Sequence, residues 1–216
     1  MIIKVCGMRD ADNIRQIDEL GCVDWMGFIF YPPSSRNVEQ VPEYLPKHCK
    51  RVGVFVNASI EDIALRAQEF QLDFVQLHGH ESPGFCKSLH GMLHRLTLNK
   101  AVGIIKMIQI PLTGNDKYVL GSYPDFVDYF LFETKCQGYG GSGQQFDWDI
   151  LQHYTGKTPF LITGGIGAED AEKVKAFHHP QFVGIDLNSR FEVTPALKDV
   201  TRIKNFVQII QSKNKS

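Results

Sequence analysis

At 216 residues the chain has length for one domain with a sizeable core, and its charges, 23 Lys and Arg against 24 Asp and Glu for a net −1, are scattered along it, which excludes the electrostatic footprint of a nucleic-acid or membrane-surface binder. Five cysteines at wide spacings, Cys6, Cys22, Cys49, Cys86 and Cys136, form no C-x-x-C pair to suggest a zinc site or a redox motif, and a reduced cytoplasmic setting is expected. The apolar start meets Lys4 at once and no run approaches the ~20 apolar residues of a spanning helix, so neither a secretory leader nor a membrane partner is expected.

In chain order, eight apolar β-rich runs recur: Ile2–Cys6, Trp25–Phe30, Val52–Val56, Phe74–His78, Ile104–Ile110, Tyr129–Glu133, Phe160–Thr163 and Phe182–Leu187. Between several of them apolar residues return at three- and four-residue steps, which predicts helices over Ile60–Phe70, Asp147–Tyr154, Ala168–Phe177 and Val200–Gln211. Ser59, Asp147 and Gly167 stand at the starts of three of these. The stretch from His90 to Gly103 holds a short apolar pattern, Leu93-His94-Arg95-Leu96-Thr97-Leu98, that fits an extra strand or a longer connection. Near-continuous apolar strands imply burial on both faces, as in a barrel or a doubly wound sheet. Eight strand–helix units in this length predict a closed α/β architecture, a single (β/α)8 TIM barrel over residues 1–216.

Such a barrel gathers chemistry at the C-terminal ends of its strands. Side-chain parity sets Lys4 and Cys6 on one face of the first strand. A lysine beside a thiol favours the thiolate, although a cysteine in an apolar strand also serves as a small buried hydrophobe. The same parity pairs Gln76 with His78, Leu131 with Glu133 and Asp186 with Asn188 toward the barrel mouth, and turns Val75, Leu77, Phe130, Phe132, Ile185 and Leu187 toward the helices. His78 reads equally as a catalyst or as a satisfied strand-end histidine. Three segments suit a phosphate: Gly140-Gly141-Ser142-Gly143 with Gly141 and Gly143, then Gly164-Gly165, then Asn188-Ser189. Arg36, in a proline-stiffened loop after the second strand, has the forked guanidinium that suits a carboxylate.

The combination resembles the N-(5'-phosphoribosyl)anthranilate isomerase family of tryptophan biosynthesis. Similar stretches include Lys4-Val5-Cys6-Gly7-Met8, Gly27 through Tyr31 with Ser35-Arg36, Val52 through Val56, Val75-Gln76-Leu77-His78-Gly79, Gly140 to Gly143 with Phe146-Asp147-Trp148, Thr163 to Ile166, Gly184-Ile185-Asp186, Ser189 with Glu192, and Lys198-Asp199. The resemblance implies an Amadori rearrangement of a small phosphosugar substrate that needs no cofactor or metal, and a monomer or homodimer is expected. It makes Cys6 the general base at ribose C2' and Glu133 the general acid at the ring oxygen. It gives Arg36 the anthranilate carboxylate and the Gly164-Gly165 and Asn188-Ser189 loops the phosphate, with His78 and Asp186 facing the substrate. The chain departs from the family at Glu133, where Asp is usual, at Arg190, where glycine is common and a phosphate contact or a solvent-facing side chain is expected, and at Ala196, which replaces a glycine. Competing readings are another phosphate-binding barrel, such as an indole-glycerol-phosphate synthase or a histidine-pathway sugar isomerase, and a phosphosugar-binding barrel without catalysis.

Overall fold

The computed structural model describes residues 1–96, 100–110, 123–134 and 145–212. Eight parallel strands, β1 (Ile2–Val5), β2 (Trp25–Phe30), β3 (Lys50–Phe55), β4 (Phe74–Leu77), β5 (Gly103–Ile110), β6 (Tyr129–Thr134), β7 (Phe160–Ile162) and β8 (Phe182–Leu187), follow one another in chain order and close into a barrel. The seam pairs β1 with β8, Lys4 opposite Asp186 and Val5 opposite Leu187. A two-stranded antiparallel hairpin, β9 (Glu192–Thr194) with β10 (Leu197–Lys198), follows β8.

Parity divides the strands into two cores. Val75, Leu77, Phe130, Phe132, Ile185 and Leu187 join the large outer core under the helices, as expected from the sequence. Trp25, Val52, Phe74, Ile105, Met107, Leu131 and Leu161 fill the barrel interior. Trp25 stacks on Phe74 at 4.6 Å between ring centroids, and Tyr129 meets both edge-on. This aromatic plug occupies the end where the strands begin, so the open end is the C-terminal one. Each such side chain contributes roughly 1.5–3 kcal/mol by leaving water.

The helical shell is less regular than a strict strand–helix alternation. Helices α1 (Ala11–Asp18), α2 (Ile60–Glu69), α3 (Pro83–Leu96), α4 (Ala171–Ala176) and α5 (Val200–Gln211) follow β1, β3, β4, β7 and the hairpin. Asp10, Ser59 and Asp199 cap α1, α2 and α5 by accepting from backbone N–H groups of the first turn. The helix expected over Asp147–Tyr154 is a 3-10 segment, Trp148–His153, capped by Asp147. Its buried residues, Trp148, Leu151 and Tyr154, recur every third position, the period of a 3-10 turn rather than an α-helix. The helix expected over Ala168–Phe177 begins as a 3-10 turn, Ala168–Asp170, and becomes α-helical at Ala171. His90 to Leu96 belong to α3, not to an extra strand, because Cys86, Leu89 and Leu93 bury one helical face. Thr97 and Leu98 lie outside the described residues.

No helix covers the connection from β2 to β3, which starts at Tyr31-Pro32-Pro33, where two prolines lack the N–H that a helix interior needs. Asp18, buried at the end of α1, organises this connection instead. Its carboxylate accepts from the Tyr44 hydroxyl and from the N–H groups of Lys47, His48 and Cys49, all at 2.8–3.0 Å. Burial alone raises the Asp18 pKa, but these donors more than reverse that and hold it below the usual carboxylate value. Because the folded pKa is depressed, the stabilisation is present above pH ~4 and is lost as pH falls through the folded value. Asp18→Asn, which turns an amide donor onto these donors, is expected to cost ~2–4 kcal/mol in urea denaturation at pH 7, with the gap to the parent narrowing at pH 3.

Candidate active site

At the C-terminal end of the barrel a cavity of about 200 Å³ opens, a volume that suits a small molecule rather than a chain. Cys6, Arg36, His78, Glu133, Gly164, Gly165, Asp186, Asn188 and Ser189 all line it. Gly141 and Gly143 lie outside the described residues. Arg190 turns away from the cavity to an exposed ion pair with Glu169.

Cys6 follows β1 and is almost fully buried, its thiol lying against Gly27 of β2. A Cβ at Gly27 would stand 2.8 Å from Cys6 Sγ, so glycine is required there for the thiol to keep its place. Beneath it Lys4 Nζ meets Asp186 Oδ2 at 2.8 Å, with both side chains buried. Lys4 favours the thiolate as the sequence suggests, and the structure adds an opposing burial. Burial pushes the thiol up, Lys4 and Lys198 pull it down, Asp186 adds to the rise, and the net position is above the ordinary value. Burial likewise pulls Lys4 down, but Asp186 and Cys6 prevail and the ammonium holds its proton more tightly than usual.

Across the mouth, Glu133 Oε2 meets His78 Nε2 at 2.9 Å. Gln76 Nε2 stands 3.1 Å from His78 Nδ1, and its donation there leaves the ring proton on Nε2, aimed at Glu133. His78 is therefore partnered on both nitrogens. Gln76 Oε1 and Asp186 Oδ1 are buried and have no partner among the described residues. Both residues line the cavity, and two orphan acceptors there match the hydroxyl donors of a sugar. Asp186 is pushed up by burial, which Lys4 only partly offsets, with Glu133 adding to the rise.

The candidate anion-binding elements lie to either side. Gly164 and Gly165 both have positive φ, 93° and 67°, a conformation that favours glycine. Their N–H groups, with that of Ser189, have no partner among the described residues, so the loops after β7 and β8 present donors to an anion. Arg36, on the loop after β2, gives its Nε and Nη2 to Glu192 at 2.9 and 2.6 Å. Its Nη1/Nη2 edge is left for a carboxylate. Glu192 also accepts from Lys198 Nζ at 2.6 Å and from the Ala196 N–H at 3.0 Å. Burial raises the Glu192 pKa, and Arg36 and Lys198 more than reverse it. Gln76, Glu192 and Lys198 carry no role in the sequence reading. The signal was parity for Gln76, and for the other two the presence of charge in the short segment after the last barrel strand.

A closed α/β barrel with a buried thiol, a carboxylate–imidazole pair and anion donors at its C-terminal mouth has the layout of a small-molecule acid–base enzyme. Residues 3–209 match the family model described as N-(5'phosphoribosyl)anthranilate (PRA) isomerase, and the chain belongs to that family. It is 50% identical over 213 residues, 99% of each chain, to the N-(5'-phosphoribosyl)anthranilate isomerase of Phocaeicola vulgatus. It is similar to the crystal structure of phosphoribosyl anthranilate isomerase from Thermotoga maritima, with TM-score 0.77, 28% identity and 98% and 99% of the two chains covered. A second solved relative, at TM-score 0.74, 26% identity and the same coverage, is in complex with reduced 1-(o-carboxyphenylamino)-1-deoxyribulose 5-phosphate.

Two measurements bear on this geometry without requiring turnover. Alkylation of Cys6 by iodoacetamide, followed by peptide mass spectrometry, is expected to have a pH midpoint above the ordinary thiol value of ~8.5, and a lower midpoint would contradict the burial argument. Ala196 has φ 69° in the hairpin turn, where an L side chain is strained. Ala196→Gly is expected to stabilise the protein by ~0.5–1 kcal/mol in urea denaturation, the relief of strain exceeding the added unfolded-state entropy.

Proposed function

We propose that the chain converts N-(5'-phosphoribosyl)anthranilate to 1-(2-carboxyphenylamino)-1-deoxyribulose 5-phosphate by general acid–base catalysis, without a cofactor. The observation that carries this reading is the single cavity that holds Cys6 and Glu133 together between Arg36 and the Gly164-Gly165 and Asn188-Ser189 loops. A ligand with a carboxylate at one end and a phosphate at the other would be fixed with its sugar over the thiol and the carboxyl.

In the proposed sequence Glu133 gives a proton to the ring oxygen, the bond from C1' to that oxygen breaks, and the anthranilate nitrogen lone pair forms an iminium. The Cys6 thiolate then takes the C2' proton, leaving an enolamine. Loss of the O2' proton and protonation at C1' complete the aminoketose, and no atom is gained or lost. A raised thiol pKa makes the thiolate scarcer but a stronger base when formed. The ammonium groups of Lys4 and Lys198 act in its favour. His78, donating from Nε2, supports the carboxylate that Glu133 becomes after it releases its proton.

Cys6→Ser and Glu133→Gln are each expected to lower kcat by ~10²–10⁴-fold while the reduced product analogue still binds. Glu133→Asp retains the acid but withdraws it by one methylene, and a loss of about a hundredfold is expected if the longer arm is matched to this site. Turnover retained by Cys6→Ser in a fluorescence assay with freshly made substrate would overturn the base assignment.

A further inference from the structure

Behind the cavity wall, Arg36, Glu192, Lys198 and Asn188 form a chain of alternating partners. Arg36 grips Glu192 with Nε and Nη2, Lys198 Nζ reaches Glu192 Oε1 at 2.6 Å, and the same ammonium reaches Asn188 Oδ1 at 2.7 Å. The Lys198 side chain is 0% exposed and that of Glu192 5%, and neither lines the cavity. Both charges are fully committed to partners rather than held for solvent. The backbone of Lys198 is in turn fixed to α1, with Asn13 Nδ2 donating to its carbonyl at 3.0 Å and Asn13 Oδ1 accepting from its N–H at 2.8 Å. The assembly packs around Gly7: a Cβ there would stand 2.7 Å from Arg36 Cδ, 3.0 Å from Asn188 Oδ1 and 3.5 Å from Lys198 Nζ. One end of the chain presents a guanidinium to the cavity, and the other presents the residue that opens the loop after β8.

We infer that Glu192 and Lys198 are positioning residues that tie the carboxylate-binding end of the site to its phosphate-binding end, and so set the ligand length it accepts. The inference rests on the proposed function for the identity of the two anions. Glu192 occupies the Nε/Nη2 edge of the Arg36 fork and thereby commits the Nη1/Nη2 edge to the ligand, since these are the only two edges of a guanidinium that match a carboxylate with two parallel donors. Lys198 neutralises Glu192 and holds the Asn188 amide by its oxygen. The two residues touch different halves of the site, which a general structural role would not do: Glu192 contacts Arg36 directly, whereas Lys198 contacts Asn188 directly and reaches Arg36 only through Glu192.

The test is calorimetric binding of two probes, the reduced carboxyphenylamino-deoxyribulose 5-phosphate and ribose 5-phosphate, which has the phosphate but no carboxylate. Glu192→Gln, close in shape to the parent, is expected to weaken the first probe by ~10-fold or more, as for loss of a charged hydrogen-bonded pair, and to leave ribose 5-phosphate within about twofold. Lys198→Met is expected to weaken both. In an Arg36→Ala background, Glu192→Gln is expected to add nothing to the loss for the first probe. Equal weakening of both probes by Glu192→Gln, or no weakening of either, overturns the inference while leaving the proposed function in place. Failure of the wild-type protein to bind the reduced product overturns the proposed function and the inference with it. Ribose 5-phosphate affinity also reports folding, so a variant that binds it normally has kept its barrel.

Discussion

Lys4 and Asp186 face each other across the seam where the first and last barrel strands meet, 2.8 Å apart and shut off from water. Burying either charge alone costs several kcal/mol, so the barrel closes favourably only in a register that brings the two together. That register also decides where the chemistry stands. Cys6 lies two residues beyond Lys4 and Asn188 two beyond Asp186, so the parity that pairs the ions aims the thiol and the loop after β8 into the mouth. A one-residue slip would turn all four toward the helices. The pair is then weak evidence for net stability and bears instead on the register of closure.

Below this layer the barrel is apolar and aromatic, and above it polar. The Trp25, Phe74 and Tyr129 rings pack on one another at the N-terminal end, while the upper layer holds orphan acceptors on Gln76 and Asp186. Such groups are costly in a folded protein and persist where a ligand supplies the missing donors. The interior therefore tolerates unsatisfied chemistry at one end because the other end and the outer core carry the packing. The same low-dielectric surroundings that make the orphans costly also raise the Cys6 thiol, against the pull of Lys4 and Lys198.

The strands were legible because each is a continuous apolar run with polar residues at its C-terminal lip, and the outward-facing set follows from alternation alone. Helices were less legible. A three-residue spacing in Trp148, Leu151 and Tyr154 is compatible with two periods, and only the packed structure chooses the 3-10 one. The connection after β2 is built by Asp18, which lies about thirty residues before its backbone partners, beyond any local pattern. The site divides in the same way. Cys6, His78, Glu133 and Asp186 lie at strand ends, where parity and topology assign them. Glu192 owes its place to Arg36, 156 residues away in sequence, and no spacing rule connects them. The charge balance at Cys6 divides in the same way: the lysine that favours the thiolate is visible in the strand, but the burial that opposes it belongs to the assembled barrel.

Glu133 follows the same reasoning at the level of a single side chain. An additional methylene leaves acidity nearly unchanged, since Asp and Glu differ by only ~0.4 units in reference pKa, but it adds a rotatable bond that must be held for the carboxylate to act from one position. In this chain Glu133 Oε2 is held by His78 Nε2, and His78 is held in turn by Gln76. The imidazole is thus a fixed stop for a longer arm, and the entropy of the extra bond is lost on folding rather than on binding. A shorter carboxylate at the same backbone position would need either a closer histidine or a strand displaced toward the ribose. In the proposed reaction a Glu in the place where the family resemblance implies Asp is then a change in how the acid is supported rather than in the acid itself, and the support comes from β4, the strand whose C-terminal lip carries both Gln76 and His78.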